Sequence, residues 1–315
     1  MSILIKNGTI VSSDRTVVSD LYIESDRIVE IGPKLRNHAE TTIDAEGKLV
    51  IPGGIDVHTH LDAPVGGTTS SDDFETGTKA AAFGGTTCII DFATQSRGQS
   101  LRKAFDLWRA KASNAVVDYG LHMIIVDMAE DRLHEIDEIV QEGVTSFKVF
   151  TAYPGSLMVD DATILRIMLR ARKHGALVAV HAENGEAIQM LVQHALAEGR
   201  VAPIQHALTR PAIAEAEATN RVIALARIAG VPLYVVHVTC AESLEEIARA
   251  RKKGFDVFGE TCPQYMLLTK DDLGRPDFQG AKYVLTPPLR EKIDQEALWE
   301  GLKNDSLQVV STDHC

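Results

Sequence analysis

The sequence predicts an α/β chain in which eight short strands alternate with helices, a (β/α)8 barrel preceded by a β-rich segment. Three observations carry that prediction. Short apolar runs recur along residues 53–315, of a length that suits strands buried on both faces. Longer amphipathic stretches separate them. The first fifty residues have a different texture, with short β-branched segments broken by turn residues.

In chain order, residues 3–11, 21–24 and 27–31 read as strands, with Asn7-Gly8, Ser25-Asp26 and Gly32-Pro33 as turn signals. A turn at residues 44–47 leads into a strand at 48–51. After Pro52-Gly53-Gly54 the pattern changes, which sets the expected domains at 1–52 and 53–315. The barrel strands are expected at 55–58, 86–92, 119–126, 144–150, 176–181, 231–238, 255–260 and 307–311. Residues 161–174 form a helix with Ile164, Leu165, Met168 and Leu169 on one face. Residues 241–253 do likewise with Leu244, Ile247 and Ala248. Gly84-Gly85-Thr86 ends a helix and opens a strand. A doubly wound open sheet is the competing architecture. No Gly-rich phosphate fingerprint follows any strand, which counts against its nucleotide-binding form.

Composition narrows the class. The chain has 315 residues, 45% of them apolar and 24% charged. A chain of that size buries roughly three quarters of its unfolded surface, so disorder, collagen-like repeats and a disulfide scaffold are excluded. Asp and Glu number 44 against 32 Lys and Arg, a formal charge of −12, and no basic run interrupts the excess. A nucleic-acid partner is therefore not expected, because phosphate binding needs clustered positive charge. Cys88, Cys240, Cys262 and Cys315 form no CxxC pair and read as reduced thiols of a cytoplasmic protein. The first apolar run breaks at Lys6, unlike a signal peptide. No apolar stretch approaches ~18 residues, so no membrane partner is expected.

A barrel of this kind places its active site where strands end and βα loops begin. His58 and His60 end the first barrel strand two residues apart, so both rings can point to one side and reach one ion. Lys148 interrupts the apolar fourth strand. It either snorkels to the rim or stays buried with a pKa low enough to react with CO2, giving a carbamate that could bridge two cations. His181 and His237 end the fifth and sixth strands, and Asp313 follows the eighth. A lone histidine there is more often a core residue than a ligand, and a lone Asp could cap a helix. Five strands delivering metal-competent side chains to one end outweigh those separate explanations. The set exceeds one tetrahedral zinc and suits two ions roughly 3.5–4 Å apart holding a shared hydroxide.

The motifs Gly53-Gly-Ile-Asp-Val-His-Thr-His60, Leu61-Asp-Ala-Pro-Val-Gly-Gly-Thr68, Ser146-Phe-Lys-Val-Phe150, Val180-His-Ala-Glu-Asn-Gly185, Tyr234-Val-Val-His-Val-Thr-Cys240, Gly259-Glu-Thr-Cys-Pro-Gln-Tyr265 and Thr286-Pro-Pro-Leu-Arg290 carry a resemblance. Across its whole length the chain resembles a cyclic amidohydrolase of the dihydropyrimidinase and D-hydantoinase type. The resemblance implies a TIM-like barrel flanked by a small β-sandwich, with residues 1–52 forming the N-terminal part of the sandwich. It implies two divalent metal ions, expected to be zinc, held by His58, His60, Lys148, His181, His237 and Asp313. Lys148 would be carboxylated and would bridge the ions together with hydroxide. The implied reaction is hydrolytic ring opening of a small cyclic amide, by a cytoplasmic homotetramer. Members of the family continue well past the position of Asp313, so the C-terminal end of the barrel domain is expected to lie beyond Cys315.

The resemblance also assigns roles. Asp313 orients the nucleophile, accepts its proton and passes it to the leaving nitrogen. Tyr153 donates to the developing oxyanion, although by itself it reads as a loop aromatic packed on the barrel mouth. Thr286 binds the ring amides where most relatives have Ser. Ala63, Val65, Phe150 and Leu157 would meet the exocyclic group. Dihydroorotase shares the metal set but places an Arg just after its His-x-His, where this chain has Leu61-Asp62. Allantoinase is the nearer alternative, disfavoured by Tyr153 and the 61–68 loop. A non-catalytic dihydropyrimidinase-related scaffold is the other, and such proteins lose metal ligands that all survive here. His122, His206, Cys240 and Cys262 read as structural.

Overall fold

The computed structural model describes residues 1–65 and 67–315. Gly66, part of the 61–68 motif, lies outside the described residues. The chain divides into two compact units, Met1–Gly54 and Ile55–Cys315.

The first unit is a five-stranded sheet of β1 (Ser2–Val11), β2 (Thr16–Glu24), β3 (Arg27–Gly32), β4 (Thr41–Asp44) and β5 (Leu49–Val50). Its order is β3-β2-β1-β4, with β5 also on β1. The β1–β2 pair is antiparallel, while β4 and β5 run parallel to β1. Gly8 permits the close approach of β5, since a Cβ there would lie 2.6 Å from Val50. Two elements depart from expectation. β2 starts at Thr16 rather than at 21. β4 was missed because all four of its residues are exposed, so no buried apolar side marks it.

The second unit continues through β6 (Gly54–Thr59), β7 (Pro64–Val65), β8 (Thr68–Thr69), α1 (Phe74–Phe83), β9 (Thr86–Thr94), α2 (Leu101–Lys111), β10 (Asp118–Ile124), α3 (His134–Gln141), β11 (Ser146–Phe150) and α4 (Asp161–Arg172). It then runs through β12 (Leu177–His181), α5 (Gly185–Ala197), α6 (Gln205–Leu208), α7 (Ala212–Ala229), β13 (Leu233–Val235), α8 (Ala241–Lys252), β14 (Val257–Thr261), α9 (Pro263–Leu267), α10 (Lys292–Lys303) and β15 (Val309–Val310). Eight parallel strands lie side by side in the order β6-β9-β10-β11-β12-β13-β14-β15. Each strand sits beside its sequence neighbour, as short right-handed crossovers require. The two edges meet at a Thr59–His314 bridge, so the barrel is nearly closed. All eight expected barrel strands are present.

Local chemistry sets the helix ends. Asp73 and Thr76 form a capping box on α1, and Asp160 accepts from the Thr163 backbone N at 2.7 Å to start α4. α7 ends at Gly230 with φ +66°, a left-handed cap that glycine adopts without a Cβ clash. The face of α4 is rotated from the expected one. Ile164, Ile167, Met168 and Ala171 are buried, whereas Leu169 is 45% exposed. The i, i+3, i+4, i+7 stripe chosen by packing is thus one that the larger leucines only partly share. The core fills the space between barrel strands and helices with Phe147, Val149, Val178, Val180, Leu233 and Ile247 among its fully buried members.

Candidate active site

The parallel sheet brings strand ends to one face, and six charged or imidazole side chains gather there. His58 sits within β6 and is fully buried; His60 follows the strand. The Nε2 atoms of the two rings are 3.3 Å apart. Asp313 Oδ1 lies 3.1 Å from His58 Nε2 and 3.4 Å from His60 Nε2. The backbone that closes the barrel delivers this carboxylate: Asp313 N donates to His58 O at 2.9 Å, and His60 N donates to His314 O at 2.7 Å. Asp56 strengthens the junction by accepting from the Thr312 hydroxyl. These three side chains place one ligand atom each within 4.8 Å of one another.

Lys148, in the middle of β11, is buried rather than snorkelling. Its Nζ is 2.9 Å from His58 Nε2 and lies over the rings of Phe92 and Phe150 at 4.2 and 5.2 Å. Burial pushes the ammonium pKa down, which favours the neutral amine. His181 ends β12 and His237 follows β13, and His181 Nδ1 faces His237 Nε2 at 2.8 Å.

Burial and neighbours set the charge of each group. Burial holds His60 down at about 4, so its ring is neutral near pH 7. Burial alone would also depress His58, but the buried Glu260 carboxylate overrides it and lifts His58 to about 9. Burial, reinforced by His181, keeps His237 well below the ordinary range. For Asp313 burial works upward, and His58 and His60 outweigh it to hold the carboxyl ionised. The neutral rings of His60 and His237 and the ionised Asp313 oxygen, with His58 Nε2 beside them, form a donor set that fits a divalent cation, which would take the place of the His58 proton.

Three residues with left-handed backbone stand at the same place. Tyr153, His237 and Asp313 have φ of +65°, +40° and +54°. Each such conformation costs about 1–3 kcal/mol for a residue with a Cβ and tends to cluster at functional sites. The Tyr153 ring centroid is 5.2 Å from that of His181, and burial pushes its hydroxyl pKa up. Thr286 Oγ1 lies 3.0 Å from His206 Nε2, which also reaches Leu285 O at 2.9 Å. His206, expected to be a bland loop residue, therefore holds the Thr286 segment. The buried Arg290–Glu215 ion pair, at 2.9 Å, joins that segment to Thr239 just after His237. The four residues assigned to an exocyclic group lie apart in exposure. Ala63 and Phe150 are buried, Val65 is half exposed, and Leu157 packs against the Phe92 cluster. Phe150 stacks on His181 at 5.3 Å between centroids, which makes it a wall of the site. His122 is buried on Ser146 and Val57 O, and the Cys240 and Cys262 thiols are buried, as expected.

Sequence reasoning missed three buried carboxylates. Glu260 in β14 touches His58 Nδ1, Glu183 touches His181 Nε2, and Asp91 in β9 accepts from Thr59 Oγ1, Leu61 N and Trp108 Nε1. For Glu260 and Asp91 the available signal was the one used for Lys148, a charge inside an apolar strand run; Glu183 lies past the end of β12 and carried no such signal.

Comparison with known proteins agrees with this geometry. Residues 49–315 match the Amidohydrolase family. A D-hydantoinase from Streptomyces coelicolor is 53% identical over 318 aligned positions, covering 99% of this chain and 68% of that protein. A D-hydantoinase from Geobacillus stearothermophilus is 52% identical, covering 100% of this chain and 67% of that protein. The crystal structure of dihydropyrimidinase from Brevibacillus agri superposes with a TM-score of 0.98 at 52% identity, covering 100% of this chain and 69% of that one. Among the described residues, no helix is long and apolar enough to cross a membrane. A barrel whose strand ends gather histidines, a buried lysine and an aspartate, matched from residue 49 onward, belongs to the amidohydrolase family.

Proposed function

We propose that the chain hydrolyses the endocyclic amide of a 5,6-dihydropyrimidine or a 5-substituted hydantoin. The observation that carries this reading is the convergence of His58, His60, Lys148, His181, His237 and Asp313 at one end of the barrel. The names of the relatives supply the substrate class.

His58, His60 and Asp313 would hold one divalent ion and His181 and His237 a second, with zinc the expected metal. Such ions supply Lewis acidity, lowering the pKa of a water and polarising an amide carbonyl. Burial lowers the Lys148 pKa and so favours the neutral amine, the form that would add CO2, making an N–C bond and releasing one proton. The resulting carbamate would give each half of the cluster an oxygen ligand. Asp313, held ionised, accepts the proton of the attacking water and returns it to the leaving ring nitrogen. Tyr153 keeps its proton because burial raises its pKa, so it can donate to the oxygen that gains charge. Thr286 offers a hydroxyl to the ring amide from a segment held by His206. The free cysteines suit a cytoplasmic setting, and a homotetramer is the assembly the resemblance implies.

A turnover panel tests this reading, using dihydrouracil, hydantoins with alkyl and aryl substituents, allantoin and dihydroorotate. Ring opening of dihydrouracil or the hydantoins is the expected result. Preference for allantoin or dihydroorotate, or no turnover of any member by metal-loaded protein, overturns it.

A further inference from the structure

Two buried carboxylates beside the cluster have no part in the ligand set or in the proposed chemistry. Glu260 is fully buried in β14. Its Oε1 lies 2.6 Å from His58 Nδ1 and accepts from the His237 backbone N at 3.2 Å, while its Oε2 accepts from the Tyr234 hydroxyl at 2.6 Å. One side chain thus ties together β6, β13 and the strained residue after β13. Glu183 is also buried, in the turn after β12. Its Oε2 lies 2.8 Å from His181 Nε2, and its backbone N donates to Thr151 Oγ1 at 3.1 Å.

The two carboxylates act on opposite ring nitrogens. A carboxylate draws the ring hydrogen to the nitrogen it faces and leaves a lone pair on the other. Glu260 faces Nδ1 of His58, which leaves Nε2, turned toward His60 and Asp313, as the nitrogen that a cation can take in exchange for a proton. Glu183 faces Nε2 of His181, which frees Nδ1 toward His237. We infer that Glu260 and Glu183 are positioning residues that present opposite nitrogens of His58 and His181 to two separate cation sites. This rests on the reading that the cluster holds cations. The competing account is that both are only cross-links of the barrel.

The test compares wild-type protein with Glu260→Gln and Glu183→Gln, each loaded with zinc alone or cobalt alone. An amide still accepts a hydrogen bond but no longer adds charge to the ring's basicity. Chelator competition with metal counting should show 10–100-fold weaker binding of one ion in Glu260→Gln and of the other ion in Glu183→Gln. The visible spectrum of the cobalt protein should change in each variant, and differently. Tyr234→Phe and Glu183→Asp are milder variants that should shift the same ion as their Gln counterparts, by less. They carry the test if a Gln variant does not fold. Folded variants with wild-type affinity for both ions and an unchanged cobalt spectrum overturn the inference, even if their melting temperatures fall. So does weakening of the same ion by both substitutions. Wild-type protein that binds no divalent cation overturns this inference and the functional reading together. Two bound ions unaffected by the substitutions overturn this inference alone.

Discussion

The two halves of the site are built by different means. His58, His60 and Asp313 come from opposite ends of the strand series and meet only because the last strand returns beside the first. His181 and His237 come from adjacent strands, β12 and β13, paired in register through Val180 and Val235. The first half mixes imidazoles with an ionised carboxylate. The second is imidazole alone on the ligand side, walled by Phe150 and Tyr153. The first half thus depends on barrel closure and holds the proposed proton acceptor. The second depends on local register and sits beside Tyr153, the proposed oxyanion donor. Lys148 stands between them, touching His58 and lying over Phe150.

Lys148→Ala removes the group shared by both halves and should have the largest effect. We expect loss of both ions and a kcat at least about a thousandfold lower, since several kcal/mol of Lewis-acid stabilisation go with them. A short carboxylic acid added to the variant should restore part of the activity. Mass analysis of the native protein at neutral pH should show one CO2 adduct. Full metal loading with an unmodified lysine would refute the shared-bridge role.

Asp313→Asn strikes only the first half. The amide fills the same space but cannot take a proton at neutral pH. The expected loss in kcat is ~10²–10⁴, with metal retained. A variant keeping more than about a tenth of wild-type kcat would remove Asp313 from the role of base.

Tyr153→Phe strikes the second half and leaves the ring in place. One lost oxyanion donor costs on the order of 10²–10³ in kcat, with a smaller change in KM. Unchanged kcat on both dihydrouracil and a bulky hydantoin would mean that Tyr153 only packs.

The smallest effect concerns the support of the first half. Asp91 holds the residues on either side of His60 through Thr59 and Leu61. Burial lifts its pKa to about 6, from an unfolded value near 3.8. The folded state therefore binds the extra proton between those values, so this contribution to stability is complete below pH ~3.8 and is lost as pH rises through about 6. Wild-type protein should thus lose melting temperature relative to Asp91→Asn as pH rises from 4 to 6, by roughly a few degrees, and then hold a constant difference. A difference that is flat across that window would show that Asp91 does not titrate there.

Much of the barrel was legible because its physics is local. A strand covered on both faces must be apolar throughout, so each run marked itself, and a polar residue at its end marked the active face. His181 and His237 were visible for that reason, and Lys148 because it broke such a run from within. Glu260 and Asp91 broke the same kind of run and could have been found by the same rule. Their partners could not, because His58 and Thr59 are distant in sequence. In the first unit, Thr41–Asp44 buries nothing and left no pattern.

By itself, then, the sequence determined the alternation of elements, the order of the barrel strands and which residue types stand at their ends. Periodicity and burial cost act within a few residues, so they are written along the chain. Only the tertiary structure decided which face of α4 is buried, that Phe150 walls the site, and that Asp313 reaches His58. It also decided which ring nitrogen of His58 and of His181 faces a buried carboxylate. Those outcomes follow from barrel closure and from contacts across strands, where the geometry of the whole sheet sets the distances.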